Sequence, residues 1–105
     1  MYKIEDFRTV NHLYKMVITQ HSRKRFAERD ISVTDVSAAI NNGEIIEQYP
    51  DDFPFPSCLI FGKADNKILH VVASINEGLV YIITAYVPSV SKWEDDMKTR
   101  KEKEK

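Results

Sequence analysis

Hydrophobic residues change their period once along this chain, from a helical repeat before Gly43 to strand alternation after it. Ile4, Phe7, Val10 or Asn11, and Tyr14 fall near one helical face, which predicts a short amphipathic helix at the start. The brief β-branched run Met16-Val17-Ile18-Thr19 is a short strand or an extended connector. Ser22 is placed to cap a helix running from Arg23 to Glu28 and ending near Asp30. Ser32-Val33-Thr34-Asp35 then fits a capping box with Asp in place of Glu, and Ile31 and Val36 are spaced for a hydrophobic staple. With Val33, Val36 and Ile40 repeating at three and four, a helix is predicted over 33–42, closed by Gly43 at positive φ.

After Gly43 the pattern predicts four strands, at 44–49, 57–63, 67–75 and 79–87. Residues 50–56 form a loop stiffened by three prolines, and short turns fall at 64–66 and 76–78. Turns this short require antiparallel neighbours, because parallel pairs need crossovers of about a dozen residues. Past Pro88, Ser91-Lys92-Trp93-Glu94 reads as a second capping box, opening a C-terminal helix with Trp93 and Met97 one turn apart. The expected architecture is therefore α+β: N-terminal helices, a four-stranded antiparallel sheet covered on one face, and a C-terminal helix. With 105 residues and no dividing linker, one domain is expected over 1–105, with a frayed tail at 101–105.

Alternation decides which side chains share a face. Leu69, Val71, Ala73 and Ile75 are apolar and belong to the core, so His70 points the other way. A three-residue loop at 76–78 sets Ile75 opposite Leu79 and His70 opposite Thr84, with Tyr86 diagonal to it on the same face. A two-residue loop would instead put Ala85 opposite His70. On the helix before Asp30, His21, Arg25 and Arg29 are four apart and share a stripe, drifting about 40° per step. Like charges so placed repel, and the compensation is either an anionic ligand or an acidic partner, for which Glu44 and Glu47 are the internal candidates.

Composition narrows the chemistry. Fifteen Lys and Arg face sixteen Asp and Glu, a net charge of -1, which argues against an indiscriminate polyanion binder. The balance is global and not local: residues 1–40 carry seven basic and five acidic side chains, whereas 41–60 carry four acidic and no basic ones. The lone Cys58 can form no internal disulfide and sits in an apolar strand as a small hydrophobe, and a reducing, cytoplasmic setting is expected. No apolar run approaches a membrane span or a signal peptide. Three histidines without HxxxH or HxH spacing offer no metal site, and three scattered glycines form no phosphate loop. Each candidate also has a structural reading: His70 with Tyr86 as a satisfied sheet pair, the Arg stripe as an ion-pair partner, Tyr49, Phe53 and Phe55 as a loop packed on the core, and His12 as a surface residue.

The fragments Ile18-Thr19-Gln20-His21-Ser22-Arg23-Lys24-Arg25-Phe26-Ala27-Glu28-Arg29-Asp30-Ile31, Gly43-Glu44-Ile45-Ile46-Glu47, Tyr49-Pro50-Asp51-Asp52 with Pro56-Ser57, Leu69-His70-Val71-Val72 and Ile83-Thr84-Ala85-Tyr86-Val87-Pro88 followed by Trp93 together resemble the domain-of-unknown-function family 4258. The likeness covers 17–100, leaving 1–16 as an added helix. That family is similar in expected fold to the RelE and ParE toxins and to other small metal-independent ribonucleases. The resemblance implies a RelE-like domain acting on RNA without cofactor or metal, neutralised by a cognate antitoxin protein. Under it, His21 or His70 would act as base or acid, Arg25 and Arg29 would clamp phosphate, and Tyr86 would donate or stack with Thr84 beside it. The alternative is a non-catalytic protein-binding module of the same fold, docking through the acidic proline loop 50–56 and the C-terminal helix.

Overall fold

In the computed structural model, residues 1–12 and 15–101 are described. Their elements run α1 (Ile4–Thr9), β1 (Met16–Val17), α2 (Gln20–Glu28), α3 (Val33–Asn42), β2 (Glu44–Tyr49), β3 (Ser57–Ala64), β4 (Lys67–Asn76) and β5 (Leu79–Tyr86). Tyr14, expected to end the first helix, and residues 102–105 of the expected frayed tail lie outside the described residues.

The strands form one five-stranded sheet in the order β1-β5-β4-β3-β2. The sheet is mixed and not the antiparallel four-stranded one expected, because Met16 and Val17 pair in parallel with Val80 and Tyr81 of β5. A parallel partner this short carries no periodic signal of its own, so the sequence left the segment between strand and connector. The α2–α3 pair supplies the long crossover from one edge of the sheet to the other. One face of the sheet packs under the helices: Phe7, Phe26, Val36, Ala39 and Ile40 meet Cys58, Ile60, Leu69, Val71, Ala73, Val80, Ile82 and Ala85.

Local chemistry explains the helix bounds. Ser32 accepts from the Asp35 amide (3.0 Å) and Asp35 accepts from the Ser32 amide (2.9 Å), the reciprocal capping box that starts α3. In α2 the cap is Thr19 and not Ser22: the Thr19 hydroxyl accepts from the Ser22 amide (3.1 Å), so the helix begins three residues earlier than expected. Gly43 ends α3 in extended backbone (φ -90°, ψ -178°), and not at positive φ. Its missing side chain matters for a different reason. A Cβ there would lie 2.4 Å from the Ala39 carbonyl oxygen, and one on Gly62 only 2.0 Å from the same atom, so both glycines let α3 rest directly on β3.

The β4–β5 hairpin also departs from its expected register. Asn76 pairs with Leu79 across a two-residue turn in which Glu77 (φ 52°) and Gly78 (φ 75°) are both left-handed, the arrangement of a type I′ turn. A bulge then falls opposite Val72 and Ala73, so His70 ends directly opposite Tyr86. The shorter turn and the extra residue together move the register by two, an even number, and so return the same residues to the same face. That bulge switches the buried set of β5 from Val80 and Ile82 to Ala85, and turns Thr84 and Tyr86 to the side of His70.

Among the described residues no C-terminal helix forms. Residues 87–101 make a strap over the sheet's second face, closed by an antiparallel bridge between Trp93 and Arg100 and by Glu94 N–H to the Thr99 carbonyl (2.8 Å). The expected capping box loses to competing local bonds. Asp96 accepts from the Lys98 amide (2.9 Å), the Thr99 amide (3.0 Å) and the Thr99 hydroxyl (2.9 Å), and Met97 turns left-handed at φ 59°.

Candidate functional site

The strap and α2 approach the two sides of Tyr86. β1 pairs only with the start of β5, so further along that edge α2 takes its place. Ser22 donates its hydroxyl to the Ile83 carbonyl (3.3 Å), and Arg29 donates Nη1 to the Ala85 carbonyl (2.8 Å) and to the Thr84 hydroxyl (3.4 Å). Edge carbonyls that would otherwise face water thus anchor the last residue of the His21-Arg25-Arg29 stripe. His21 and Arg25 are exposed further back along α2.

On the other side, the strap seals His70. The ring is 0% exposed. Its Nε2–H donates to the Met97 carbonyl (2.6 Å), which leaves Nδ1 as acceptor for the Tyr86 hydroxyl at 3.4 Å. Trp93 packs edge-to-face on it with centroids 4.4 Å apart, and Tyr86 (5.3 Å) and Phe61 (6.2 Å) complete an aromatic box. Burial therefore holds the imidazole below its usual range, in the neutral form that its two partners require. Burial likewise raises the Tyr86 hydroxyl above its ordinary value.

The strap is pinned at its far end by two ion pairs. Lys98 reaches Glu44 (2.9 Å), and Arg100 meets Glu47 side-on, Nε to Oε2 at 2.8 Å and Nη2 to Oε1 at 3.0 Å. The Arg100 guanidinium also lies over the Trp93 ring at 4.7 Å. Burial pushes the Glu47 carboxyl up, but the bonds from Arg100 and Tyr49 outweigh it and hold the group below the usual carboxylate range. The acidic stretch is thus compensated by strap cations and not by the α2 stripe, since β2 is the sheet edge opposite β5.

Between α2 and the strap lies a cleft of about 370 Å³, lined by Arg29, Tyr86, Val87, Ser89, Lys92, Trp93 and Arg100. Three cations line it and, among the described residues, no carboxylate. Both guanidiniums are fixed by neighbours that take only part of their donors: Arg29 uses Nη1, and Arg100 uses Nε and Nη2. Each keeps N–H groups for a ligand, in the fork geometry that fits phosphate or carboxylate oxygens.

Of the residues singled out in the sequence, Arg29 and Tyr86 line this cleft and Thr84 bonds Arg29 beside it, whereas His70 is buried against Trp93 and Tyr86 and, like His21 and Arg25, does not line it. Lys92, Trp93 and Arg100 were missed as site residues, because a helix was expected where the strap lies. The lone tryptophan, two residues from a candidate cap and far from any other aromatic repeat, was the one available signal. Phe53 also differs from expectation: it is 93% exposed at the tip of the proline loop, while Phe55 packs near Tyr81 at 6.0 Å. Cys58 is fully buried, and burial pushes its thiol up to about 12. Among the described residues no group of three His, Cys, Asp or Glu could hold a metal ion, and no helix is long and apolar enough to cross a membrane.

Fold and site together define a small α+β domain with a cationic cleft between a sheet-edge helix and a C-terminal strap. The chain matches the model described as Domain of unknown function (DUF4258) over residues 18–87, more than half its length, and belongs to that family. The strap, with Lys92, Trp93 and Arg100, follows the matched span. No curated protein and no solved structure matches the chain.

Proposed function

We propose that the cleft binds the phosphodiester backbone of RNA, and that the toxin-like, metal-independent endoribonuclease reading of this chain rests on the cleft and not on His70. The observation that carries this is the pair of guanidiniums, Arg29 and Arg100, each held by its own neighbours with donors remaining, both lining one hollow. Preorganised cations of this kind hold a phosphate and stabilise the extra charge of a pentacovalent phosphorane. Attack of a 2′-oxygen on phosphorus, its proton passing to solvent water, breaks the bond to the 5′-oxygen, leaving a 2′,3′-cyclic phosphate and, once that oxygen is protonated, a 5′-hydroxyl. The Tyr86 hydroxyl keeps its proton through neutral pH, and by turning from His70 Nδ1, to which its bond is long at 3.4 Å, it can donate to the leaving oxygen and be reprotonated by water. Along α2, Arg25 and His21 follow Arg29 at rises of roughly 6 and 12 Å, extending the cationic track for neighbouring phosphates and placing an exposed imidazole on it.

Fluorescence anisotropy with a labelled single-stranded RNA tests the reading. Binding should weaken steeply with salt, and loss of Arg29 and Arg100 together should lower the log–log salt slope by about 1.4, roughly 0.7 for each phosphate contact on a single strand. Cleavage should yield cyclic-phosphate ends, and induced expression should arrest growth in the absence of an antitoxin. RNA affinity unchanged in the Arg29→Ala/Arg100→Ala double variant, or no binding even at low salt, refutes the proposal.

A further inference from the structure

We propose that Glu47 is a positioning residue for the cleft: it aims Arg100 at the bound anion even though its own charge opposes that anion. The inference rests on the RNA-binding reading above and assigns a role to a residue outside the cleft's lining. Arg100 lies outside the helices and strands, its backbone held by a single bridge to Trp93, and its side chain is 56% exposed, so the direction of its guanidinium depends on the groups it touches. Glu47 is rigidly based. It sits on β2 opposite Leu59, just after the bulge at 45/47, with its side chain 23% exposed. Its Oε1 also accepts a hydrogen bond from the Tyr49 hydroxyl, which keeps its proton because burial and the carboxylate push that group up to about 12.

The resulting chain runs from Tyr49 to Glu47 to Arg100. Because the carboxylate takes Nε and Nη2 side-on, the plane of the guanidinium is set, and Nη1 is the edge left for a phosphate. Trp93 supports the opposite face of the same plane. A flexible arginine would lose rotamer freedom on binding an anion, and Glu47 removes that cost beforehand.

Charge and position predict opposite signs, which makes the test sharp. On charge alone, Glu47→Gln leaves the cleft more positive and tightens RNA binding. On position, the same change frees Arg100 and weakens binding by about three- to tenfold. The measurement is RNA anisotropy on the full chain for wild type, E47Q, E47D, R29A, R100A and the E47Q/R100A pair. We expect E47Q and R100A to be weakened alike, E47D to recover part of the loss, and E47Q to have no further weakening effect in the R100A background. Tight binding by E47Q, or the same weakening by E47Q with and without Arg100, overturns the inference and leaves the cleft standing. No RNA binding by wild type, or wild-type affinity in R29A and R100A alike, overturns both. Should E47Q lose the native Trp93 emission, Tyr49→Phe decides, since it keeps every charge: about twofold weaker binding is expected, and unchanged affinity overturns the inference.

Discussion

His70→Ala separates a structural imidazole from a catalytic one. The substitution removes a fully buried ring bonded to the Met97 carbonyl at 2.6 Å and enclosed by Trp93, Tyr86 and Phe61. Leaving a buried carbonyl without its donor costs about 1–3 kcal/mol. Emptying the aromatic box adds about 2 kcal/mol for lost contacts and cavity. The total, about 3–5 kcal/mol, is large beside the whole stability of a domain this size, about 5–15 kcal/mol. It corresponds to a fall of roughly 15–25 °C in melting temperature. Trp93 is the sole tryptophan, so its emission reads strap docking directly, and it should shift to the red as the ring becomes wet. Urea unfolding followed by that emission gives both numbers from one titration. If His70→Ala unfolds within about 1 kcal/mol of wild type with unmoved emission yet loses RNA cleavage, the imidazole acts on substrate and its structural assignment fails.

Three further outcomes follow from the same contacts. Because burial lowers the His70 pKa below 6.5, the unfolded chain binds the proton first, so stability is full above 6.5 and declines as pH falls through that value towards the folded one; urea midpoints at pH 8 and 5.5 should differ, and the difference should shrink in His70→Ala. Gly62→Ala places a Cβ 2.0 Å from the Ala39 oxygen and should cost more than about 3 kcal/mol or prevent folding, whereas a fully stable variant would mean that α3 does not rest on β3. Cys58, buried with its thiol pushed up to about 12, should react with a thiol reagent only as fast as the protein unfolds, and fast labelling of native protein would contradict the packing.

Periodicity was enough for the elements whose signal is local. The capping box at Ser32 and Asp35, the four strands after Gly43 and the inward set Leu69, Val71 and Ala73 all follow from side-chain chemistry within a few residues. Elements defined by a distant partner were not legible in this way. β1 is two residues long and exists because Val80 and Tyr81 receive it. The strap is shaped by His70 and Glu47, whose contacts with Met97 and Arg100 span 27 and 53 residues. A local capping pattern at Ser91 could not compete with these tertiary bonds, and the cleft residues that depend on the strap were hidden with it. The His70–Tyr86 pairing was within reach only as a shared face, because turn and bulge shifted the register by an even number.

The parallel seam at the sheet edge also bears on how the chain is made. Met16 leaves the ribosome 64 residues ahead of Val80, its partner, a delay of roughly 3–13 s at ordinary synthesis rates. During that interval α2 lacks β5, the strand it packs beside, while β2, β3 and β4 can zip as they emerge and receive α3. A nascent chain stalled before Leu79 is consequently the form most exposed to holdase capture and clumping, and the last strand to be translated is the one that ends the hazard.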